Sequence, residues 1–347
     1  MNKRALRADF LLLLTAGIWG FGFVAQRSGM EFIGPFAFNG IRFILGSLSL
    51  LPLILIKKFT TNQHELVPSV RSRTEEKWRT KGSWCLLYSL AGGGLIFIAV
   101  ILQQIGILFT TAGNAGFITG LYVILTPIFG LFLGRKTGRA TWFGSVFTLA
   151  GLYFICAAGH AGSINPGDII TIVSAAFWAC HVLLIDRVVR DIDPIAFSAG
   201  QFAVCGILSL AGSFLVEPFI IPFVQGINPA LLEAGMFSWL PFPDLLAGLH
   251  QKTVVFPIEG IIPILYGGLA SVGIAYTLQA VAQRDAPPAH ATIILCFEGC
   301  FAALGGALLL SETVGRWTLL GFFLMLAGML VTQWEVIGFK KSTSFLK

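Results

Sequence analysis

Two ionisable side chains lie inside otherwise apolar runs of this 347-residue sequence. Glu298 lies about ten residues from either end of its run, and Arg42 follows Pro35 by seven residues, or about 10 Å along a helix. A charge near the centre of a bilayer is costly and usually faces a protein interior or an aqueous cavity. Glu298 could therefore pair with a substrate amine or exchange a proton, or it could lock two helices together through a hydrogen bond.

The Arg42 guanidinium also has two interpretations. It could bind a substrate carboxylate through two parallel hydrogen bonds. Alternatively, it could extend to the outer membrane interface or hold the end of a neighbouring helix. Arg27 lies at the end of the first apolar run and is interpreted as an interface anchor.

The neutral candidates for substrate binding or coupling are aromatic or polar side chains in apolar runs: Trp19, Trp178, Tyr122, Tyr276, Gln103, Gln279, Asn114 and His290. The two tryptophans could line a cavity or fill helix packing, and the tyrosine hydroxyls need partners when they are buried. The two glutamines, the asparagine and the histidine are candidates for gates that alternate between the two sides. His181 is interpreted as a satisfied interior histidine, although histidine can also handle protons near neutral pH.

The composition indicates the elements that hold these side chains. Apolar residues make up 56% of the chain and charged residues 12%, and the mean hydropathy is +0.83; soluble domains carry about 25% charged residues. We predict an all-α integral membrane protein, and the net charge of +6 does not indicate nucleic-acid binding. Since a span needs roughly 20 apolar residues, ten transmembrane helices are predicted at 9–28, 35–56, 84–108, 113–133, 140–158, 168–189, 194–216, 260–282, 288–310 and 317–336.

The Lys and Arg residues predict the orientation of these spans. With the N-terminus inside, nineteen of the 23 Lys and Arg residues fall in cytoplasmic segments and three fall outside, while Arg42 lies within a span. Positive charge is enriched on the cytoplasmic side of membrane proteins. Both termini are therefore predicted to be cytoplasmic, in a multi-pass protein of the cell membrane.

Reporter fusions test this orientation. Fusions at Thr61 and Lys341 should report the cytoplasm, and a fusion at Gly226 should report the outside, because the charge split predicts an even number of spans. The readout is an enzyme reporter pair in which each member is active on one side only. A cytoplasmic signal at Gly226 would contradict the predicted topology.

An internal repeat relates the two halves of the chain. A shift of 159 residues superposes Asp9 on Asp168, Trp19 on Trp178 and Arg42 on Gln201, and a shift of 176 superposes Gln103 on Gln279 and Asn114 on His290. The halves are predicted to be 1–158 and 159–347, with an external insert at about 217–259. Because each half has five helices, the second must enter the membrane from the opposite side, which gives two inverted five-helix repeats. Inverted repeats are common in secondary transporters and hold substrate near the midplane.

Three stretches resemble a known family: Ile18 to Gln26 (IWGFGFVAQ), Arg42 with the following FILG, and Phe297 to Gly328. They are similar to the EamA-type branch of the drug/metabolite transporter superfamily, and the resemblance covers nearly the whole chain. It implies a ten-helix exporter or importer of small organic solutes. It also implies a central cavity lined by the first four helices of each half, with the fifth helices at the periphery.

The segments that open the fourth and ninth predicted helices, TTAGNAG (110–116) and DAPPAHA (285–291), combine helix-weakening residues at equivalent places in the two halves. Corresponding interruptions in two repeats mark moving or binding elements in transporters. Pro127 predicts a kink in the fourth helix. Residues 57–83 are interpreted as a basic cytoplasmic loop.

The sequence contains no Walker A, Gly-x-Ser-x-Gly or His-Glu-x-x-His motif, so we expect neither an enzyme nor a cofactor. All six cysteines lie in apolar runs, which predicts neither a disulfide framework nor a metal site. We predict a secondary transporter that exports small organic metabolites, such as amino acids or related solutes, by alternating access. The alternative is a non-transporting membrane scaffold or lipid-binding protein on the same fold. The expected partners are a small-molecule substrate, membrane lipids and a second copy in a homodimer.

Overall fold

The computed structural model describes residues 3–30, 32–62, 68–109, 112–156, 166–217, 258–309 and 315–343. These ranges contain no strand, which confirms the all-helical prediction for the described part of the chain. The helices are α1 (Lys3–Gly29), α2 (Pro35–Asn62), α3 (Pro68–Ile107), α4 (Ala112–Thr119), α5 (Tyr122–Phe132), α6 (Arg139–Cys156), α7 (Pro166–Val188), α8 (Pro194–Leu215), α9 (Ile258–Leu265), a π-helix (Tyr266–Tyr276), α10 (Thr277–Ala282), α11 (Pro288–Leu295), α12 (Glu298–Leu309) and α13 (Arg316–Thr343).

Seven helical segments in the described ranges are long and apolar enough to cross a membrane: Lys3–Gly29, Pro35–Lys57, Ser83–Ile107, Pro166–Val188, Pro194–Leu215, Gly260–Ala282 and Pro288–Leu309. Tyr122–Phe132 and Leu319–Thr332 are shorter apolar helices. Large apolar side chains such as Phe132, Leu308 and Phe323 are exposed. Because soluble proteins rarely present so much contiguous apolar surface, these features support a multi-pass membrane protein.

Several helices begin where the sequence chemistry favours a start. Proline occupies the first position of α2, α7, α8 and α11, where its missing N–H is not needed. Asp193 precedes α8, and its carboxylate accepts hydrogen bonds from the Ile195 and Ala196 N–H groups, each at 3.1 Å. Burial alone would raise the pKa of Asp193, but hydrogen bonds from Lys57 and from these N–H groups keep that pKa below its ordinary value.

Two predictions concern the segments that connect the spans. The first needs correction, and the second falls mostly on residues outside the described ranges. The predicted loop at 57–83 is largely helical, since α2 continues to Asn62 and α3 begins at Pro68. Charged residues such as those in Glu75-Glu76-Lys77 are good helix formers, so low hydropathy there does not imply a loop. Most of the predicted external insert, 218–257, lies outside the described residues.

Close glycine contacts define how α2 crosses α8. A Cβ atom added at Gly206 would lie 2.9 Å from the Ile44 backbone nitrogen, and one added at Gly40 would lie 3.0 Å from the Leu210 nitrogen. Small residues let two membrane helices approach this closely. Because the earlier residue of α2 meets the later residue of α8, the two helices are antiparallel.

The pair α6 and α13 packs in the same way. A Cβ at Gly144 would lie 2.8 Å from the Gly328 carbonyl oxygen, and one at Gly151 would lie 2.6 Å from the Gly321 oxygen. These two helices are therefore antiparallel as well. A shift of 177 residues carries Gly144 to Gly321 and Gly151 to Gly328, so exchanging the halves reproduces the same pair of contacts.

Further contacts relate α1 and α7. The Thr15 hydroxyl donates to the Ala275 carbonyl at 3.2 Å, and the Ser174 hydroxyl donates to the Ala99 carbonyl at 2.8 Å. Shifts of 159 and 176 residues convert the first bond into the second. The same side-chain bond thus occurs at two pairs of positions that the sequence shifts relate.

The Glu217 carboxylate, just after α8, caps the N-terminus of α2. Glu217 follows α8, is fully buried, and accepts a hydrogen bond from the Phe36 N–H at 3.3 Å. A carboxylate is favourable at a helix N-terminus, where N–H groups lack partners. Burial nevertheless raises the pKa of Glu217 from 4.5 to about 7, against the lowering effect of the Phe36 and Ala37 N–H groups.

This pKa predicts a pH-dependent stability. The folded protein holds the Glu217 proton more tightly than the unfolded chain, so the associated stability is present below pH 4.5 and is lost as the pH rises to about 7. Glu217→Gln can keep the cap without ionising, so it should match the wild type at pH 4 and be more stable at pH 8 by on the order of 2 kcal/mol. Thermal unfolding in detergent at both pH values measures this. If Glu217→Gln changed the stability equally at pH 4 and at pH 8, the raised pKa of Glu217 would be contradicted.

Candidate functional site

Two helix interruptions meet in the interior of the protein. Gly120 and Leu121 separate α4 from α5, and Cys296 and Phe297 separate α11 from α12. The Cys296 thiol donates to the Gly120 carbonyl oxygen at 3.3 Å, so the two interruptions touch. The shift of 176 residues that relates the halves converts Gly120 into Cys296.

The sequence predicts interruptions in the segments 110–116 and 285–291, which open the fourth and ninth predicted helices. The two interruptions described above lie within the same helices but a few residues later. Most of the second segment forms the turn and first residues of α11, and Pro127 lies inside α5. Prolines at the start of a helix are compatible with it, so they do not interrupt α11.

Glu298 is the first residue of α12 and lies near the middle of the Pro288–Leu309 span, as the sequence predicts. Its carboxylate is buried and accepts a hydrogen bond from the Tyr122 hydroxyl at 3.1 Å. Tyr122 and Glu298 are themselves related by the shift of 176 residues.

A central cavity with an empty volume of about 480 Å³, including its open part, surrounds this pair. Eight of the ten candidate residues predicted from the sequence line it. His290 does not, and the Asn114 side chain is outside the description. The full lining is Trp19, Phe23, Gln26, Arg42, Gln103, Thr119, Tyr122, Trp178, Val182, Ser271, Tyr276, Gln279, Leu295 and Glu298.

Most of the lining residues occur as pairs that the repeat relates. The five pairs are Trp19 with Trp178, Phe23 with Val182, Gln103 with Gln279, Thr119 with Leu295, and Tyr122 with Glu298. The cavity is therefore lined largely by residues that the sequence shifts of 159 and 176 relate to one another. Its two charges break this equivalence, because Arg42 corresponds to Gln201 and Glu298 corresponds to Tyr122.

Arg42 is buried on the cavity wall between aromatic rings. The centre of its guanidinium group lies 5.4 Å from the Phe38 ring centroid and 5.2 Å from that of Phe43. Aromatic faces attract such a cation. The Nε–H group of Arg42 is buried and has no hydrogen-bond partner among the described residues.

Tyr276 is the centre of an aromatic cluster in the cavity. Its ring centroid lies 4.6 Å from that of Trp19 and 5.9 Å from that of Trp178, and Tyr276 is stacked on Trp178 at 22°. Arg42 and Glu298 line the same cavity as this cluster. The cavity therefore combines a cation, a carboxylate and an aromatic surface.

Amide side chains supply the remaining polar groups. Gln103 donates to the Thr119 hydroxyl at 2.8 Å. The side-chain oxygens of Gln26 and Gln279 are buried without a partner in the described part of the chain. Gln26 was missed by the sequence reasoning, although it lies two helical turns after Trp19 on one face of α1.

His290 lies away from the cavity and forms a hydrogen bond with Asp9, with 2.8 Å between Nε2 and Oδ1. The Asn114 side chain is outside the description. His181 is buried and its Nε2 lies 3.0 Å from the Gln201 side-chain oxygen, which agrees with its interpretation as an interior histidine. Within the described ranges, no group of three or more His, Cys, Asp or Glu could hold a metal ion.

Comparisons with known proteins place this arrangement in a family. The sequence pattern described as the EamA-like transporter family matches residues 6–157 and 231–334, which is most of the chain. This chain belongs to the EamA-like transporter family. The family assignment agrees with the resemblance found in the sequence, and it indicates a membrane transporter rather than a family of enzymes.

Curated relatives of this EamA-like transporter carry general names. An "Uncharacterized transporter" of Archaeoglobus fulgidus is 26% identical over 96% of this chain and 88% of the relative. The "Uncharacterized inner membrane transporter YedA" of Escherichia coli K12 is 23% identical over 91% of this chain and 87% of the relative. A solved crystal structure with 15% identity superposes with a TM-score of 0.65, over 93% of this chain and 95% of that one, which shows a shared fold.

Ion pairs join the halves of the EamA-like transporter at the end of the helices that the charge pattern predicts to be cytoplasmic. Lys57 at the end of the α2 span pairs with Asp193, and Arg135 after α5 pairs with the buried Asp186 of α7. Gly134 ends α5 with a φ of 71°, a conformation that glycine adopts without strain. This turn directs the chain so that Arg135 can reach α7.

Proposed function

We propose that this protein is a secondary transporter that exports small organic metabolites, including amino acids and related zwitterions, by alternating access. The observation that carries the proposal is the cavity at the contact of two broken helices, with Arg42 and Glu298 on its wall. An arginine suits a carboxylate, and a buried carboxylate suits an amine. The aromatic rings around Tyr276 suit the apolar part of such a solute.

The proposed architecture is ten transmembrane helices in two inverted repeats, 1–158 and 159–347. The α4–α5 pair, α6 and α13 would supply the three spans beyond the seven long ones. Support comes from the matching bonds of Thr15 and Ser174, which relate α1 to α7, and from the matched glycine contacts of α6 and α13. The antiparallel crossing of α2 with its counterpart α8 also fits inversion. Alternating access then follows if the halves rock around the shared cavity.

We also propose that the pairs Asp9–His290, Lys57–Asp193 and Arg135–Asp186 form a gate on the cytoplasmic side. Each pair joins a residue of the first half to a residue of the second half. Export requires that these contacts open to admit solute from the cytoplasm and close again before release. Both termini of the protein lie in the cytoplasm in this proposal, as the charge asymmetry predicts.

Solute flux through liposomes containing the purified protein tests the proposed function. Labelled amino acids, amines and carboxylic acids are measured with and without a pH gradient, and protein-free liposomes give the background. Saturable flux of zwitterionic solutes is the expected result, with dependence on the gradient if protons are coupled. Flux equal to that of protein-free liposomes for the whole panel would overturn the proposal and favour a scaffold or lipid-binding protein.

A further inference from the structure

Two tryptophans occupy equivalent positions in the halves but make different hydrogen bonds. The Trp19 indole N–H donates to the Ser271 carbonyl oxygen at 3.1 Å. The Trp178 indole N–H has no partner among the residues that the structure describes, although Trp178 is 8% exposed. Both rings line the central cavity and both contact Tyr276.

The difference arises from the helix that each tryptophan faces. Trp19 faces the π-helix, whose wider turn changes the positions of its carbonyl oxygens. Trp178 belongs to α7, which packs on α3, and α3 is a regular α-helix over its whole length. The neighbouring bonds from Thr15 and Ser174 are nevertheless preserved in both halves. These two bonds are thus the same in both halves. Among the described residues, however, only the tryptophan that faces the π-helix has a hydrogen-bond acceptor.

An unpaired donor in this place needs an acceptor from the cavity. An indole N–H can only donate, and a buried donor without a partner costs free energy in the folded protein. Arg42 lines the same cavity, and its Nε–H is a second donor without a partner among the described residues. Two N–H donors, one of them cationic, provide a site for an oxygen anion.

We propose that the Trp178 indole N–H and Arg42 together form the subsite for the carboxylate of the transported solute. The proposal rests on the proposed transport function and adds a specificity-determining residue to it. Trp178 contributes a directed hydrogen bond, and Arg42 contributes charge. Trp19 has the same ring but does not take part, because its N–H is used by Ser271.

Replacing each tryptophan by phenylalanine separates the two roles. Both substitutions lose the packing of one buried indole ring, but only Trp19→Phe also removes a hydrogen bond, the one to the Ser271 carbonyl. Trp178→Phe should therefore lower the melting temperature of the ligand-free protein less than Trp19→Phe does. A loss in Trp178→Phe as large as that in Trp19→Phe would overturn the inference.

Calorimetric titration with three related probes tests recognition. L-leucine carries both charges, 4-methylpentanoate lacks the amine, and 3-methylbutylamine lacks the carboxylate. Trp178→Phe should weaken binding of the first two by about tenfold and leave binding of the amine unchanged. Trp19→Phe is the matched control, in which the ratio between acid and amine affinities should stay as in the wild type.

The two proposals fail in distinguishable ways. If wild-type protein transports leucine but Trp178→Phe binds the acid as tightly as the wild type does, the carboxylate subsite is wrong and the transport function stands. If wild-type protein neither binds any of the three probes nor moves any solute of the flux panel, both proposals are wrong. Equal weakening of acid and amine binding would also overturn the subsite, because it would indicate a general change of cavity shape.

Discussion

Glu298→Gln should abolish flux driven by a pH gradient while the protein is made and inserted normally. The glutamine has nearly the same shape and can still accept the Tyr122 hydrogen bond, but it cannot ionise. If ionisation of this carboxylate couples transport to protons, gradient-driven flux should fall by at least about tenfold, as expected when a functional charge inside a membrane is lost. Exchange of solute between the two sides without a gradient should remain. Both rates are measured in liposomes at equal protein density.

Glu217→Gln is the matched control for this experiment. Glu217 is also a buried glutamate with a hydrogen bond to its carboxylate, but it lies beyond the end of α8 and does not line the cavity. This variant should keep its gradient-driven flux. Full pH-dependent transport by Glu298→Gln would contradict the coupling role and would leave Glu298 as a group that holds α12 against α5.

Arg42→Lys should lose transport of carboxylate-containing solutes by at least about tenfold, because lysine keeps the charge but lacks the planar donor group. Lysine also stacks less favourably between Phe38 and Phe43. The expected pattern is normal abundance in the membrane, a melting temperature close to that of the wild type, and a higher solute concentration for half-maximal flux. Flux and thermal unfolding are therefore measured on the same preparations.

Arg27→Lys is the control for the arginine substitution. Arg27 is exposed near the end of α1 and does not line the cavity, so this variant should behave as the wild type does. If Arg42→Lys disappears from the membrane or unfolds at a much lower temperature, Arg42 holds the helices together rather than binding solute. That result would contradict its assignment to the cavity.

The sequence predicts the cavity residues well because membrane chemistry restricts them. Charged or strongly polar groups in apolar runs must face the protein interior, so Glu298, Arg42 and the two glutamines could be selected without a structure. The internal repeat added Trp19 and Trp178 to the candidates, because equivalent positions in two halves are predicted to face the same cavity. The shift of 176 residues also relates Tyr122 to Glu298, but only the structure shows that their side chains touch.

The helix interruptions were harder to predict because tertiary contacts decide them. The helix α11 ends just before Cys296 and Phe297, although neither residue is a proline or a glycine. The Cys296 thiol donates a hydrogen bond to the Gly120 carbonyl oxygen in the other interruption. Local propensity favoured the Pro-rich stretch before α11, where proline is in fact compatible with a helix start. Long-range contacts of this kind cannot be read from local residue types.

The π-helix was also absent from the sequence prediction. Its residues, Tyr266–Tyr276, are mostly small or apolar and would fit any membrane helix. Its bonds to α1, from Trp19 to Ser271 and from Thr15 to Ala275, are between residues more than 250 positions apart. The hydrogen bond between His290 and Asp9 was missed for the same reason, since only the fold brings these two helix ends together.

Counterflow through liposomes tests most directly whether the central cavity is an alternating-access site. Liposomes containing the wild-type protein are loaded with unlabelled L-leucine and placed in a trace of labelled leucine. Because a carrier returns with solute bound, labelled leucine should rise transiently above its equilibrium level inside the liposomes. Arg42→Gln introduces the residue found at the equivalent position 201 and should abolish this rise. Uptake that approaches equilibrium without a transient excess in the wild type, or an undiminished excess in Arg42→Gln, would contradict the account.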